Sequence, residues 1–172
     1  MSDSAIQFRA PLGPSVKLLT ALAYFVLLGV GAGSAAMLAL PPVPRVAAYV
    51  GLGTVILIAV VSWVFRIHGY SLDEGRLIIR YGFSGRAVPF SDITAVELAQ
   101  DVFRGAWRVF ASGGLWSFLG RFQSSRLGPF LAYVSDPART VLISTAQERV
   151  IISPEDPAKF VGELQRRLTR TS

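Results

Sequence analysis

The 172-residue chain has no cysteine and a single histidine, His68. Without thiols there is no disulfide framework, no zinc–thiolate or iron–sulfur site and no cysteine nucleophile. One histidine rules out a three-histidine metal centre and leaves little imidazole for acid–base work. Charge is scarce too, at 16% of residues, against about 25% in an ordinary globular domain. Hydrophobic residues make up 52%, which excludes intrinsic disorder, because disorder needs low hydrophobicity and high charge. Acids are fewer than bases, 11 against 17, for a net charge of +6. No long Lys/Arg run of the nucleic-acid-binding kind occurs. The excess is spread as +2 over residues 1–65 and +4 over 66–172, which suits an anionic membrane face. Nucleic acid is not an expected partner.

Catalytic patterns are missing as well. Gly82-Phe83-Ser84-Gly85 lacks the spacing of a nucleophile elbow, and no phosphate-cradling P-loop is present. The acid pairs Asp73/Glu74 and Glu155/Asp156 are explained locally, as turn and helix-start chemistry. No catalytic residue, metal ligand or cofactor is expected.

Two uncharged apolar runs dominate the first third. Residues 18–40 are 23 long and 46–65 are 20 long; a bilayer core takes roughly 20 helical residues. Between them Pro41, Pro42 and Pro44 forbid a continuous helix, so the pair reads as a transmembrane hairpin. The first run is too long for the ~7–15-residue core of a signal peptide. Arg9 and Lys17 precede it, Arg66, Arg76 and Arg80 follow the second run, and only Arg45 lies at the tip. Positive charge favours the cytoplasmic side, so both termini are expected in the cytoplasm, in an inner membrane crossed twice. Trp63 and Tyr49 suit the two interfaces, and His68 reads as an interfacial polar residue. Gly29 and Gly33, with Ala32/Ala36 and Ala35/Ala39, form a small-residue stripe. It allows close helix approach, either to a second copy or to Ala47, Gly51 and Thr54 of the second run.

After Arg66 the period changes to that of strands. Residues 67–72 and 76–81 flank a turn at Asp73-Glu74-Gly75; 82–86 reads as a second turn zone, 87–90 as short extended chain, and Ser91-Asp92 as a single helical turn. Residues 93–98 read as strand, with a short helix as the rival. Residues 102–135 hold no acid, four arginines and eight of the chain's nineteen aromatics. They read as a glycine-rich loop, then strands near 115–122 and 129–134. A last hairpin covers 139–145 and 148–152. Ser153-Pro154-Glu155-Asp156 has the form of a helix start: capping hydroxyl, proline, then acids against the positive helix end. Phe160, Val161, Leu164 and Leu168 then share one apolar face.

The expected order is therefore a membrane α-helical hairpin followed by an α+β unit. The latter is a PH-like β-sandwich or barrel of about seven strands, closed by a C-terminal helix. The division is a cytoplasmic tail at 1–17, the hairpin at 18–65 and the β domain at 66–172. Paired spans, then Leu72 to Arg80, Val88 to Ile93, Val141 to Ile143, and Val150 to Pro157 with Phe160-Val161, resemble the bacterial PH-domain proteins of small membrane-anchored type. The resemblance covers roughly 67–168, and its strongest part is the Ile-Ser-Pro-Glu-Asp-Pro ending. It implies a fold and a membrane tether, and carries over no catalytic residue.

The acid-free stretch supplies the expected contact residues. Arg104, Arg108, Arg121 and Arg126 would meet anionic headgroups, with Trp107, Phe110 and Trp116 at the interface. Phe118, Phe122 and Phe130 read as strand core. The expected role is a non-enzymatic, membrane-anchored binding or scaffolding module. Its expected partners are the bilayer, anionic headgroups, and membrane proteins or a second copy. The alternative is a regulatory subunit of a membrane enzyme or transporter complex.

Overall fold

A computed structural model describes residues 5–39, 45–113 and 116–171, without the side chains of 108–113 and 171. The proline turn at 41–44 lies outside the described residues. Strand Ile6–Arg9 (β1) comes first, then helices Pro14–Ala39 (α1) and Arg45–Val64 (α2). The strands that follow are Ile67–Asp73 (β2), Arg76–Tyr81 (β3), Ser84–Pro89 (β4), Ile93–Ala99 (β5), Ala106–Gly113 (β6), Phe118–Ser124 (β7), Gly128–Val134 (β8), Thr140–Thr145 (β9) and Arg149–Ile152 (β10). Helix Pro157–Thr171 (α3) ends the chain, and a single 3₁₀ turn spans Phe90–Asp92.

Both long helices are long and apolar enough to cross a membrane, with mean hydropathy 1.9 and 2.1. Most of their large apolar side chains face outward. Their seam follows a three–four spacing. Tyr24, Leu27, Gly31, Ser34 and Leu38 of α1 are the less exposed positions, as are Ala48, Leu52, Val55, Ala59 and Ser62 of α2. That spacing is the one that keeps two helices in register along a shallow left-handed crossing. Gly51 receives Ser34, for a Cβ there would lie 3.2 Å from Ser34 Cβ, and Gly31 faces Val55. Gly29 and Gly33 have open space where a Cβ would be, and Ala47 and Thr54 are exposed. Of the expected acceptor residues only Gly51 is in the seam, and the Gly29/Gly33 pair points away from it.

The first strand changes the expected domain division. β1 pairs antiparallel with β2, from Ile6 opposite Leu72 to Arg9 opposite Gly69. Residues 6–9 are thus not a tail but the edge of a four-stranded sheet ordered β1-β2-β3-β4. The whole helical hairpin is an insertion between two paired strands. The chain before α1 and the chain after α2 therefore meet at the same end of the hairpin.

The second sheet has six strands, ordered β5-β9-β10-β8-β7-β6, with β10 and β8 parallel. Among the described residues ten strands form where about seven were expected; β1 and β6 are the two that match no extended segment read from the sequence. β6 is built from residues read as a glycine-rich loop; it carries a register shift between Arg108 and Phe110. β5 and β6 are opposite edges of that sheet, yet only residues 100–105 join them, and these are folded into turns. A flat sheet of this width, at about 4.8 Å per strand, would leave the edges too far apart. The sheet must coil until they approach.

Two apolar layers result. One lies between the sheets and under α3, where Tyr70, Leu72, Leu77, Ile79, Ile143, Ile152, Phe160 and Leu164 are almost fully buried. Phe8 of β1 meets Phe160 edge-on, centroids 5.0 Å apart. The other lies on the far face of the six-stranded sheet, where Phe122 and Phe130 stack at 5.8 Å and Phe103 closes over them. Phe118 packs on its margin. Phe122 and Phe130 are core, as expected, whereas Phe118 is half-buried against them.

The start of α3 corrects the capping assignment. Ser153 is fully buried and caps nothing. Its Oγ accepts the Ser135 and Asp136 N–H groups at 2.8 and 3.1 Å. The cap is Asp156, whose carboxylate accepts the Lys159 N–H at 3.0 Å, with Pro157 at the first helical position. Both Ser153-Pro154 and Asp156-Pro157 satisfy the local rule. Tertiary hydrogen bonding uses up the serine.

Candidate functional site at the helix-proximal end of the β domain

Several backbone and side-chain bonds hold the β domain against the hairpin. The Gly13 N–H donates to Ser135 O at 2.9 Å, and the Gly82 N–H to Arg66 O at 3.1 Å. Ser117 Oγ donates to Phe65 O at 3.3 Å. Gly13 and Gly82 sit where no side chain fits. A Cβ on Gly13 would lie 2.8 Å from Asp136 Cγ, and one on Gly82, whose φ is +56°, would lie 2.9 Å from Val64 O.

Trp116 is the main clasp. Its backbone N–H donates to Thr20 Oγ1 at 3.2 Å and its indole N–H to Tyr24 OH at 3.3 Å. The Tyr24 hydroxyl also lies 3.1 Å from Ser62 Oγ, so the clasp reaches both helices. The Arg66 guanidinium sits 5.2 Å above the indole ring. A cation over an indole contributes about 0.5–2 kcal/mol, more as water is excluded. Trp116 holds this place at a φ of +67°, a region that costs a non-glycine residue energy and persists only where surrounding contacts over-determine it.

Behind the clasp lies a buried polar knot. Tyr70 OH donates to Tyr133 O at 2.7 Å and accepts the Ser153 N–H at 3.1 Å. Burial pushes the Tyr70 hydroxyl up to about 12. Burial also raises the Tyr81 hydroxyl, with the adjacent Tyr133 as the next contribution. Both shifts keep a phenol neutral and fit for hydrogen bonding, and neither supplies a base near neutrality.

The expected contact residues whose side chains are described, Arg104, Trp107, Trp116, Arg121 and Arg126, are not brought together. Trp116 lies at the helix-proximal end of the β6–β7 hairpin. Trp107 pairs with Gln123 near its opposite end, roughly 20 Å along the strand at ~3.4 Å per residue. Trp107 is 57% exposed. Arg104, in the turn before β6, and Arg126, in the turn after β7, are exposed at that same far end. Arg121 is exposed in mid-strand, opposite Leu131. Arg108 pairs with Phe122 in register; its side chain, like that of Phe110, lies outside the described part. Trp116 thus contacts helix α1, and the far-end cations do not share its level.

Two residues that sequence reasoning passed over belong to the proximal end. Phe83, in the β3–β4 turn beside the end of α2, is 91% exposed. Arg66 covers the indole. A lone aromatic in a Gly-Phe-Ser-Gly turn was the available signal for the first. Nothing local marks the second, because its ring partner is 50 residues away. Among the described residues no group of three metal-ligating side chains gathers.

Two family models, each described as a bacterial PH domain, match the chain over residues 68–168 and 18–111. The first runs from β2 into α3, and the second takes in both helices and the strands through most of β6. No curated protein and no solved structure matches. Two sheets closed by a C-terminal helix, with a helical hairpin ahead of the second strand, are the architecture these matches cover, and the chain belongs to the bacterial PH domain family.

Proposed function

We propose that this protein is a non-enzymatic binding or scaffolding module, held at the cytoplasmic face of the inner membrane by its helical hairpin. Membership of the bacterial PH domain family supports a binding module. The observation that carries the rest is the insertion of the hairpin between β1 and β2. Strands on either side of two spans pair only if both lie on one side of the bilayer. The Lys/Arg distribution then favours the cytoplasm. The domain is fixed rather than loosely tethered, because Trp116, Ser117, Gly13 and Gly82 bind it to the helix ends. Its proximal end, with Phe83, Arg66 and Lys17, faces the anionic leaflet. Each such cation near an anionic surface contributes about 1 kcal/mol of attraction. Trp107, Arg104 and Arg126 at the far end face the cytoplasm and suit a protein partner. This favours, as a second reading, a subunit that regulates a neighbouring membrane complex.

The natural absence of cysteine makes the test direct. Single cysteines replacing Phe83 and Trp107 in the full chain, labelled with an environment-sensitive fluorophore in anionic nanodiscs, should differ. The label at 83 should be blue-shifted and quenched by lipid-borne spin labels, and that at 107 should report water. The reverse order overturns the posture. Reporter fusions after Ser172 and within 41–44 test the topology, and a periplasmic C-terminus refutes the cytoplasmic assignment.

A further inference from the structure

The outward face of the four-stranded sheet contains a groove of about 190 Å³ close to the helix ends. Its walls come from both sides of the hairpin insertion: Gln7 and Arg9 from β1, His68, Gly69 and Ser71 from β2, and Arg80 from β3. The alternation of the strands places them. Phe8, Tyr70, Leu72 and Ile79 point into the core, so Arg9, Ser71 and Arg80 point the other way. Arg9 lies opposite Gly69, and Gly69 opposite Arg80. The two arginines therefore flank a position with no side chain, about 10 Å apart at two strand spacings. Only glycine serves there. Its φ is +157° at a break in the register after Ile67, and a Cβ would lie 2.8 Å from Phe8 O.

A second observation points to a ligand. Ser71 is 1% exposed, and its Oγ is a buried side-chain polar atom without a hydrogen-bond partner among the described residues. A buried hydroxyl left unpaired costs about 1–3 kcal/mol, and sequences seldom keep one without a use. Neither Arg9 nor Arg80 has a carboxylate within ion-pair distance among the described residues, although Glu155 and Asp156 stand on the far side of Arg9. No acid lines the groove itself.

We infer that this groove is a phosphate-binding site, in which Arg9 and Arg80 clamp the anion from two sides over Gly69 and Ser71 Oγ donates a hydrogen bond to it. Guanidinium groups match phosphate oxygens in paired, charge-assisted hydrogen bonds. His68, exposed beside Gly69 in β2, extends the polar rim. The site exists only when β1 has crossed the membrane insertion to pair with β2. It is thus assembled by correct folding of the hairpin. The phosphate belongs either to a lipid headgroup or to a soluble ester. The lipid case rests on the membrane-facing posture proposed above, and the soluble case does not.

The test uses the full chain in neutral detergent. Native mass spectrometry would compare retention of phosphatidylglycerol with that of phosphatidylcholine. Calorimetry would titrate inorganic phosphate and glycerol phosphate. The double variant Arg9→Gln/Arg80→Gln changes exposed side chains and should keep the wild-type melting temperature. It should bind the phosphate-bearing probe about 30-fold more weakly, for two cations at an anionic group. Preference for phosphatidylglycerol that the double variant loses assigns the site to a lipid. Loss confined to inorganic phosphate and glycerol phosphate assigns it to a soluble ester. Equal binding of every probe by wild type and double variant overturns the site. Ser71→Ala provides an independent arm. It should weaken binding several-fold while leaving thermal stability equal or higher, because it deletes an unpaired buried hydroxyl. Unchanged affinity in Ser71→Ala refutes the role given to its Oγ. Phosphate binding that survives while the label at 83 reports water separates a failure of the membrane posture from a failure of the site.

Discussion

Replacing Ser153 by alanine distinguishes a capping serine from a structural knot. A lost N-cap costs about 1 kcal/mol. Here Ser153 Oγ accepts two main-chain N–H groups, from Ser135 at 2.8 Å and Asp136 at 3.1 Å, in a fully buried setting. Ser153→Ala leaves both without a partner, and each buried orphan costs about 1–3 kcal/mol, so the expected loss is roughly 2–6 kcal/mol. Asp156→Ala removes the actual cap, a bond to the Lys159 N–H at the exposed helix start, and should cost about 1 kcal/mol. The assay is denaturant unfolding of the full chain in mild detergent, followed by tryptophan fluorescence, with an unchanged slope required before midpoints are compared. The effect should also reach the membrane boundary. Ser135 O accepts the Gly13 N–H just ahead of α1, so hydrogen exchange at Gly13 should quicken in Ser153→Ala and not in Asp156→Ala. A Ser153→Ala loss no greater than that of Asp156→Ala, with Gly13 exchange unchanged, refutes the knot.

Three further outcomes follow from the same geometry. Tyr70 has a folded-state value of about 12 against an ordinary 10, so its stabilising contribution is complete below pH 10 and declines as pH rises to 12, by about 3 kcal/mol. Tyr70→Phe should be less stable near neutrality, having orphaned the Ser153 N–H and Tyr133 C=O, and its deficit relative to wild type should shrink between pH 10 and 12; a deficit constant over that window counts against the burial argument. Phe160→Ala should cost about 3–5 kcal/mol and loosen β1 through the lost contact with Phe8, seen as faster exchange at Phe8; a loss as small as a surface change refutes the closing-helix packing. Gly51→Leu should lower the thermal stability of the hairpin, since Ser34 fills its site, whereas Gly33→Leu should not, since its surroundings are open; equal effects refute the seam.

The sequence by itself determined what depends on neighbouring residues. The two membrane-length helices follow from composition alone, because bilayer burial asks only for some 20 apolar residues in a row. The Asp73-Glu74-Gly75 turn was legible because Gly75 takes φ +72°, which few other residues accept. The α3 face was legible because Phe160 and Leu164 are one helical turn apart. Only the tertiary structure decided whatever needs a distant partner. Four residues at Ile6–Arg9 carry too little pattern to announce a strand, and they become one by pairing with β2 some 60 residues later. Ser153-Pro154 and Asp156-Pro157 offered equivalent local caps, and the choice fell to the backbone donors Ser135 and Asp136, which follow β8 directly. Trp116 was expected at the membrane interface from its segment alone, and only the fold showed that Thr20 and Tyr24, more than 90 residues earlier, supply its hydrogen bonds. The arginines of residues 102–135 were counted together because they are close in sequence, but an extended strand separates them at ~3.4 Å per residue. Arg9 and Arg80, 71 positions apart, became neighbours across Gly69 through strand pairing. Local stereochemistry fixes the element where a segment carries its own pattern; β1 and β6 became strands only through their partners, and which elements meet depends on long-range burial and hydrogen bonding, which no short window of sequence contains.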